Sequence, residues 1–486
     1  MKIPRTMSTQ HPDNVKQPFF VNSSLIADDD EIKEAFYSFS HLKIREQLWD
    51  CEGKEVDNHV VEKLLSRYED WFKKHRLGKD FFITLRGPNP KIEKNQGKVL
   101  IETLQSIPRN FDIAKHFYGD DIAPIFEIAQ PMTSSADEML RIKEYYKHHI
   151  IGKKDHLTHD VKISEWVGDF FPEDINIIPL IETKESMLDA HNIVKKYIEK
   201  AKIKDYQRVW LARSDPALNY GYLPAVLINK IALQRLHGLE EEISIDLPPI
   251  IGCGSVPFRG NFRPDKMENC LNAYPSVQTF TMQSAFKYDF PEDEVREAVN
   301  TLENSVRKNP LDIDEEASLE IIEKVSNEYQ KQIIPLAPMI NHFATFVPNR
   351  RKRKLHIGLF GYSRQNGGVS LPRAIKFCGA LYSLGIPPEI FGLNALSEKE
   401  FDFVKESNKG FEEDIKDALR YYNEDNLKIL PEELQKQVKN ILANFDFETD
   451  ESHKKITSII YGEFKNNKPT LTENIERAAA IRNFLG

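Results

Sequence analysis

Short apolar runs that end in polar or charged residues recur along this chain, and helical patterns lie between several of them. The runs cover residues 81–86, 124–129, 177–182, 209–213, 249–252, 277–282 and 355–360, with a weaker one just before Ser8. Most are almost continuously apolar, as parallel strands buried on both faces must be. Helical spacing fills residues 186–202 and 223–236. Eight strands alternating with helices predict an α/β fold, a (β/α)8 TIM-type barrel, with a doubly wound open sheet as the alternative. Three stretches exceed a minimal barrel. Residues 22–78 and 291–346 read as helical insertions, and residues 396–486 as a helical, lysine- and glutamate-rich extension after barrel strands spread over residues 6–395. Their charge is explained by solvated helix faces.

A chain of 486 residues can hold such a barrel as one unit. Its 40% hydrophobic content and mixed charge predict a soluble protein, and no apolar run is long enough to span a bilayer. A net charge of −9 argues against nucleic acid as a general partner, but a local arginine cluster can still hold a small anion. Cys51, Cys253, Cys270 and Cys378 are far apart and form no C-x-x-C pair. That predicts a cytoplasmic protein without a disulfide framework or zinc site.

In a barrel of this kind chemistry gathers at the C-terminal ends of the strands. Glu182 closes one run and Asp215 follows the next, so two carboxylates are expected side by side, a suitable pair for a hard cation such as Mg²⁺. The plainer reading is a surface glutamate and a helix N-cap aspartate. The stretch Gly361-Tyr362-Ser363-Arg364-Gln365-Asn366-Gly367-Gly368, with Arg373 after it, combines glycines, two arginines and a helix start. Such a loop suits phosphate, although a glycine turn with surface arginines is the alternative. A second glycine-rich loop, residues 252–260, carries Arg259. His11 and Arg86 also stand at strand ends, each a weak signal by itself.

Ser8-Thr9-Gln10-His11-Pro12-Asp13-Asn14 resembles a signature of the phosphoenolpyruvate carboxylase family in its compact, archaeal form, and the resemblance extends over essentially the whole chain. The order of segments is also similar to that of the longer bacterial and plant enzymes. Thr9-Gln10-His11-Pro12-Asp13 resembles Thr-Ala-His-Pro-Thr-Glu, which implies that His11 is the catalytic histidine. Pro179-Leu180-Ile181-Glu182-Thr183 and Ser214-Asp215 resemble the segments that supply the metal ligands. Ser363-Arg364, Gly367-Gly368-Val369 and Arg373-Ala374-Ile375 resemble the substrate-binding stretch. Arg86 matches an upstream phosphate-binding arginine, and Gln283 a glutamine near the metal. Asn483, after Arg482, matches a residue that helps bind an inhibitory dicarboxylate.

The resemblance implies a carboxylase that joins bicarbonate to phosphoenolpyruvate, giving oxaloacetate and phosphate through carboxyphosphate and a metal-stabilised enolate. It implies Mg²⁺ or Mn²⁺ as cofactor, His11 as base, Arg364 and Arg373 on the phosphoryl group, a closing loop around Arg259, and a homotetramer open to aspartate or malate. One departure is plain. The long enzymes carry His-Gly-Arg-Gly-Gly with a second arginine, where this chain has Gly252-Cys253-Gly254 and only Arg259. Two rival readings remain. A related lyase or mutase barrel would not need His11 together with Arg364 and Arg373, and an inactive homologue would not need to keep Glu182, Asp215 and His11.

Overall fold

The computed structural model describes residues 3–51, 57–352, 365–366 and 369–486. Eight parallel strands close into a barrel. In chain order they are β1 (Thr6–Ser8), β2 (Glu46–Asp50), β3 (Phe82–Arg86), β4 (Glu127–Gln130), β5 (Asn176–Ile181), β6 (Val209–Ala212), β7 (Pro249–Gly252) and β8 (Thr279–Met282). Each strand pairs with the next, and β1 returns to β8 through Thr6 opposite Phe280 and Ser8 opposite Met282.

The (β/α)8 expectation holds, but one strand was assigned to the wrong place. The ring is complete by Met282, and its second member, β2, lies inside the segment 22–78 that reads as helical. The run at residues 355–360, expected to be the last strand, lies outside the described residues. The reason for missing β2 is chemical. Its sequence, Glu46-Gln47-Leu48-Trp49-Asp50, has a carboxylate at each end and only two apolar side chains between. Strand alternation turns Leu48 into the barrel, where it joins Met7, Ile178, Trp210 and Ile250, and turns Trp49 outward into the layer beneath the helices.

Both carboxylates of β2 have a place. Glu46 stands at the N-terminal end, where buried Arg208 bridges it to Glu127 with three 2.8 Å bonds and Thr84 donates to it at 2.5 Å. Polar residues thus close the barrel floor, apolar ones fill its middle, and Asp50 emerges at the other end.

The helix Tyr222–Ile243 is apolar on nearly all sides because it is covered on nearly all sides, lying between the barrel and the 30-residue helix Glu315–Ala344. Residues 186–202, expected to form one helix, form Lys184–Leu188 and Ala190–Ala201 with a break at Asp189. After the barrel come the helices Glu398–Ser407, Phe411–Leu419, Glu432–Leu442, Glu451–Lys465 and Leu471–Arg482. They fold back: one apolar cluster includes both Val21 and Leu485, and Tyr222 donates to Asp414 at 2.6 Å. The four cysteines are buried and unbridged. Among the described residues no helix is long and apolar enough to cross a membrane.

Candidate functional site

A cavity of about 410 Å³ opens at the C-terminal mouth of the barrel. Seven residues that the sequence singles out line it together: His11, Arg86, Glu182, Asp215, Arg259, Gln283 and Arg373. Their strands explain the convergence. His11 follows β1, Arg86 ends β3, Glu182 follows β5, Asp215 follows β6, Arg259 lies beyond β7, and Gln283 follows β8. Parallel strands deliver all their C-terminal residues to one face. Arg364, Gly367 and Gly368 lie outside the described residues. Asn483 does not line this cavity; it caps the helix Leu471–Arg482 with φ of 58°.

The histidine segment is tied down from behind. His11 Nδ1 lies 2.9 Å from Thr9 Oγ1, which orients the ring. Two residues on, buried Asp13 accepts from Ala285 N at 2.9 Å and faces Arg259 at 3.4 Å. Burial raises the Asp13 carboxyl above its ordinary range, and Arg259 opposes that shift. The carbonyl of Asn14 accepts from Arg350 Nε at 3.0 Å. The motif after His11 is therefore an anchor, a role that sequence reading did not assign to Asp13.

Glu182 accepts from Met132 N at 2.6 Å. Met132, in the turn after β4, has φ of 50°, a strained left-handed conformation for such a side chain, and this sets the direction of its N–H. Glu182 and Asp215 follow neighbouring strands and share the cavity, with the fully buried Arg213 between them in sequence. Among the described residues no group of three or more His, Cys, Asp or Glu side chains is placed to hold a metal. Two carboxylates in one cavity are a donor set that would suit a Mg²⁺-like ion whose remaining positions go to water and substrate.

Arg86 is held by Asp50, with Nε to Oδ1 at 2.9 Å and Nη2 to Oδ2 at 2.5 Å. Asp50 was missed because its strand was missed. Arg213 was also unassigned, although it closes a strand as Glu182 does. Its Nη1 donates to Phe258 O at 3.1 Å and its guanidinium lies 5.2 Å from the Tyr222 ring. Trp210 also lines the cavity, and its buried indole N–H has no hydrogen-bond partner among the described residues.

The loop around Arg259, expected to be a closing flap, is anchored here. Phe258 N donates to Glu389 at 2.5 Å, and Gly254 N donates to Arg259 O at 2.8 Å. Arg259 is only 1% exposed. It donates to Gln283, to Ser214 Oγ at 3.2 Å and to the Gly486 carbonyl at 2.6 Å. Gly486 fits because it has no side chain: a Cβ there would collide with the Ile375 carbonyl.

A family model described as phosphoenolpyruvate carboxylase matches residues 3–486. The phosphoenolpyruvate carboxylase of Methanospirillum hungatei is 51% identical over 490 residues, covering 100% of both chains. That of Methanothermobacter thermautotrophicus is 49% identical over 489 residues and that of Pyrococcus abyssi 47% over 485, again covering 100% of each chain.

Proposed function

Because this chain belongs to the phosphoenolpyruvate carboxylase family, we propose that it carboxylates phosphoenolpyruvate with bicarbonate, giving oxaloacetate and phosphate. The observation that carries this reading is the convergence of two carboxylates, His11 and several arginines in one cavity.

Glu182 and Asp215 would hold the divalent cation, Mg²⁺ or Mn²⁺, both of which take hard oxygen ligands. When bound, that ion supplies positive charge where the substrate's enol oxygen becomes negative. Arg86, Arg373 and Arg364 neutralise the phosphoryl group as a bicarbonate oxygen displaces the enolate from phosphorus. Glycines at positions 367 and 368 are the residue type such an anion site calls for, as the family resemblance implies. His11 takes the proton of the resulting carboxyphosphate, which breaks down to CO₂ and phosphate, and C3 of the enolate then attacks CO₂. Arg259 and Gln283 form the wall against which these steps occur and help exclude water, which would otherwise protonate the enolate to pyruvate.

The expected assembly is a homotetramer in the cytoplasm, with aspartate or malate inhibiting through Asn483; sedimentation and titration with the two dicarboxylates test these points. The activity itself is tested by product analysis with phosphoenolpyruvate, bicarbonate and Mg²⁺. Phosphate and oxaloacetate should appear in equal amounts. Pyruvate as the main product, or phosphate release independent of bicarbonate, would refute the reading.

A further inference from the structure

The cations that line the cavity differ in how their charge is met. Arg86 is paired with Asp50, Arg351 with Glu34 at 2.5 Å, and Arg350 with Glu476 at 2.9 Å. Arg259 faces Asp13, and Arg213 lies against a carbonyl and a tyrosine ring. Lys376 lines the same cavity and is partly buried, yet among the described residues it has neither a hydrogen bond nor an ion pair. Burial lowers its pKa, and among the described residues no carboxylate raises it again. An ammonium held away from water without a counter-ion is costly unless something else supplies the negative charge.

Its place in the helix narrows what that something is. The helix Ala374–Ser383 has Arg373 as its N-cap and Lys376 as its third residue. A third-position side chain can reach back to the N-cap residue, as in a capping box. The first turn also presents backbone N–H groups that favour an anion. We propose that Lys376 binds the bicarbonate that attacks phosphoenolpyruvate, holding it beside the phosphoryl group at Arg373. This inference rests on the function proposed above. Bicarbonate is assigned here because arginines lining the same cavity already suit the phosphoryl group, which leaves this ammonium for the second anion of the reaction.

The test is steady-state kinetics of Lys376→Gln and Lys376→Met, each with Mg²⁺, in CO₂-depleted buffer. The expected result is a rise of about tenfold or more in KM for bicarbonate, with KM for phosphoenolpyruvate within about twofold of wild type. Phosphate and oxaloacetate should still be released in equal amounts, and Lys376→Arg should recover much of the lost affinity. Thermal stability should not fall, because neither a hydrogen bond nor an ion pair to the described residues is removed. An unchanged KM for bicarbonate, or a loss confined to phosphoenolpyruvate, would overturn the inference while leaving the carboxylase reading intact. Failure of both variants to fold would make Lys376 structural and also overturn it. A wild-type protein that makes no oxaloacetate would overturn both.

Discussion

His11→Asn keeps a polar side chain of similar shape but removes the imidazole that takes up the proton. Phosphoryl transfer to bicarbonate relies on the arginines and the cation, so it should survive more slowly. The later steps should fail, and the variant should release phosphate with pyruvate in place of oxaloacetate. The ratio of phosphate to oxaloacetate, with pyruvate assayed separately, reports this. A folded variant that releases no phosphate would move His11 into the first step. Asp50→Asn is a different kind of change, because Asp50 acts through Arg86. Losing the two-point carboxylate grip frees the guanidinium to turn. KM for phosphoenolpyruvate should rise by about 10- to 100-fold, with KM for bicarbonate nearly unchanged. His11 was legible in the sequence because a motif surrounds it. Asp50 was not, because a carboxylate at the end of a polar strand looks like a loop residue until its neighbour across the sheet is known.

Two elements carry buried ionisable groups that the chemistry does not use. On the barrel floor, Arg208 lies between Glu46 and Glu127, and the two carboxylates hold its proton more firmly than usual despite its burial. Arg208→Met would leave both carboxylates buried without their cation. It should destabilise the protein by about 3–5 kcal/mol in urea unfolding. Adding Glu46→Gln and Glu127→Gln should recover part of that loss. Behind the Arg259 loop, burial pushes the Glu389 carboxyl up to about 8, while Phe258 N and Tyr382 OH donate to it. The folded protein therefore keeps this proton to higher pH than the unfolded chain. Its contribution is greatest at the low end of the range and is lost as pH rises from the ordinary carboxyl range toward 8, by up to about 1.4 kcal/mol per pH unit. Glu389→Gln should flatten that slope, so the variant gains on wild type most clearly above about pH 8. Melting temperatures across pH would show it.

Across the whole molecule, the final residues close back on the active-site face. Leu485 N donates to Asp13 O at 2.9 Å, and the Gly486 carbonyl receives Arg259. Gly486→Val should push this segment off the helix Ala374–Ser383 and release Arg259. Activity should fall by roughly a hundredfold or more, and the melting temperature should fall as well, since the adjoining Phe484 and Leu485 belong to the apolar core. Sequence alone pointed to an α/β fold, the barrel with a doubly wound open sheet as the alternative, because parallel strands buried on both faces must be apolar and must alternate with helices. It also determined His11, Glu182, Asp215, Arg86 and Arg373 as candidates, because each follows or ends a recognisable run. Which strand closes the ring was decided only in three dimensions. The polar side chains of β2 are satisfied by residues as distant as Arg208, and no local pattern records a partner 162 positions away. The same holds for Asp13, Asp50 and Gly486, whose roles come from what the fold places beside them.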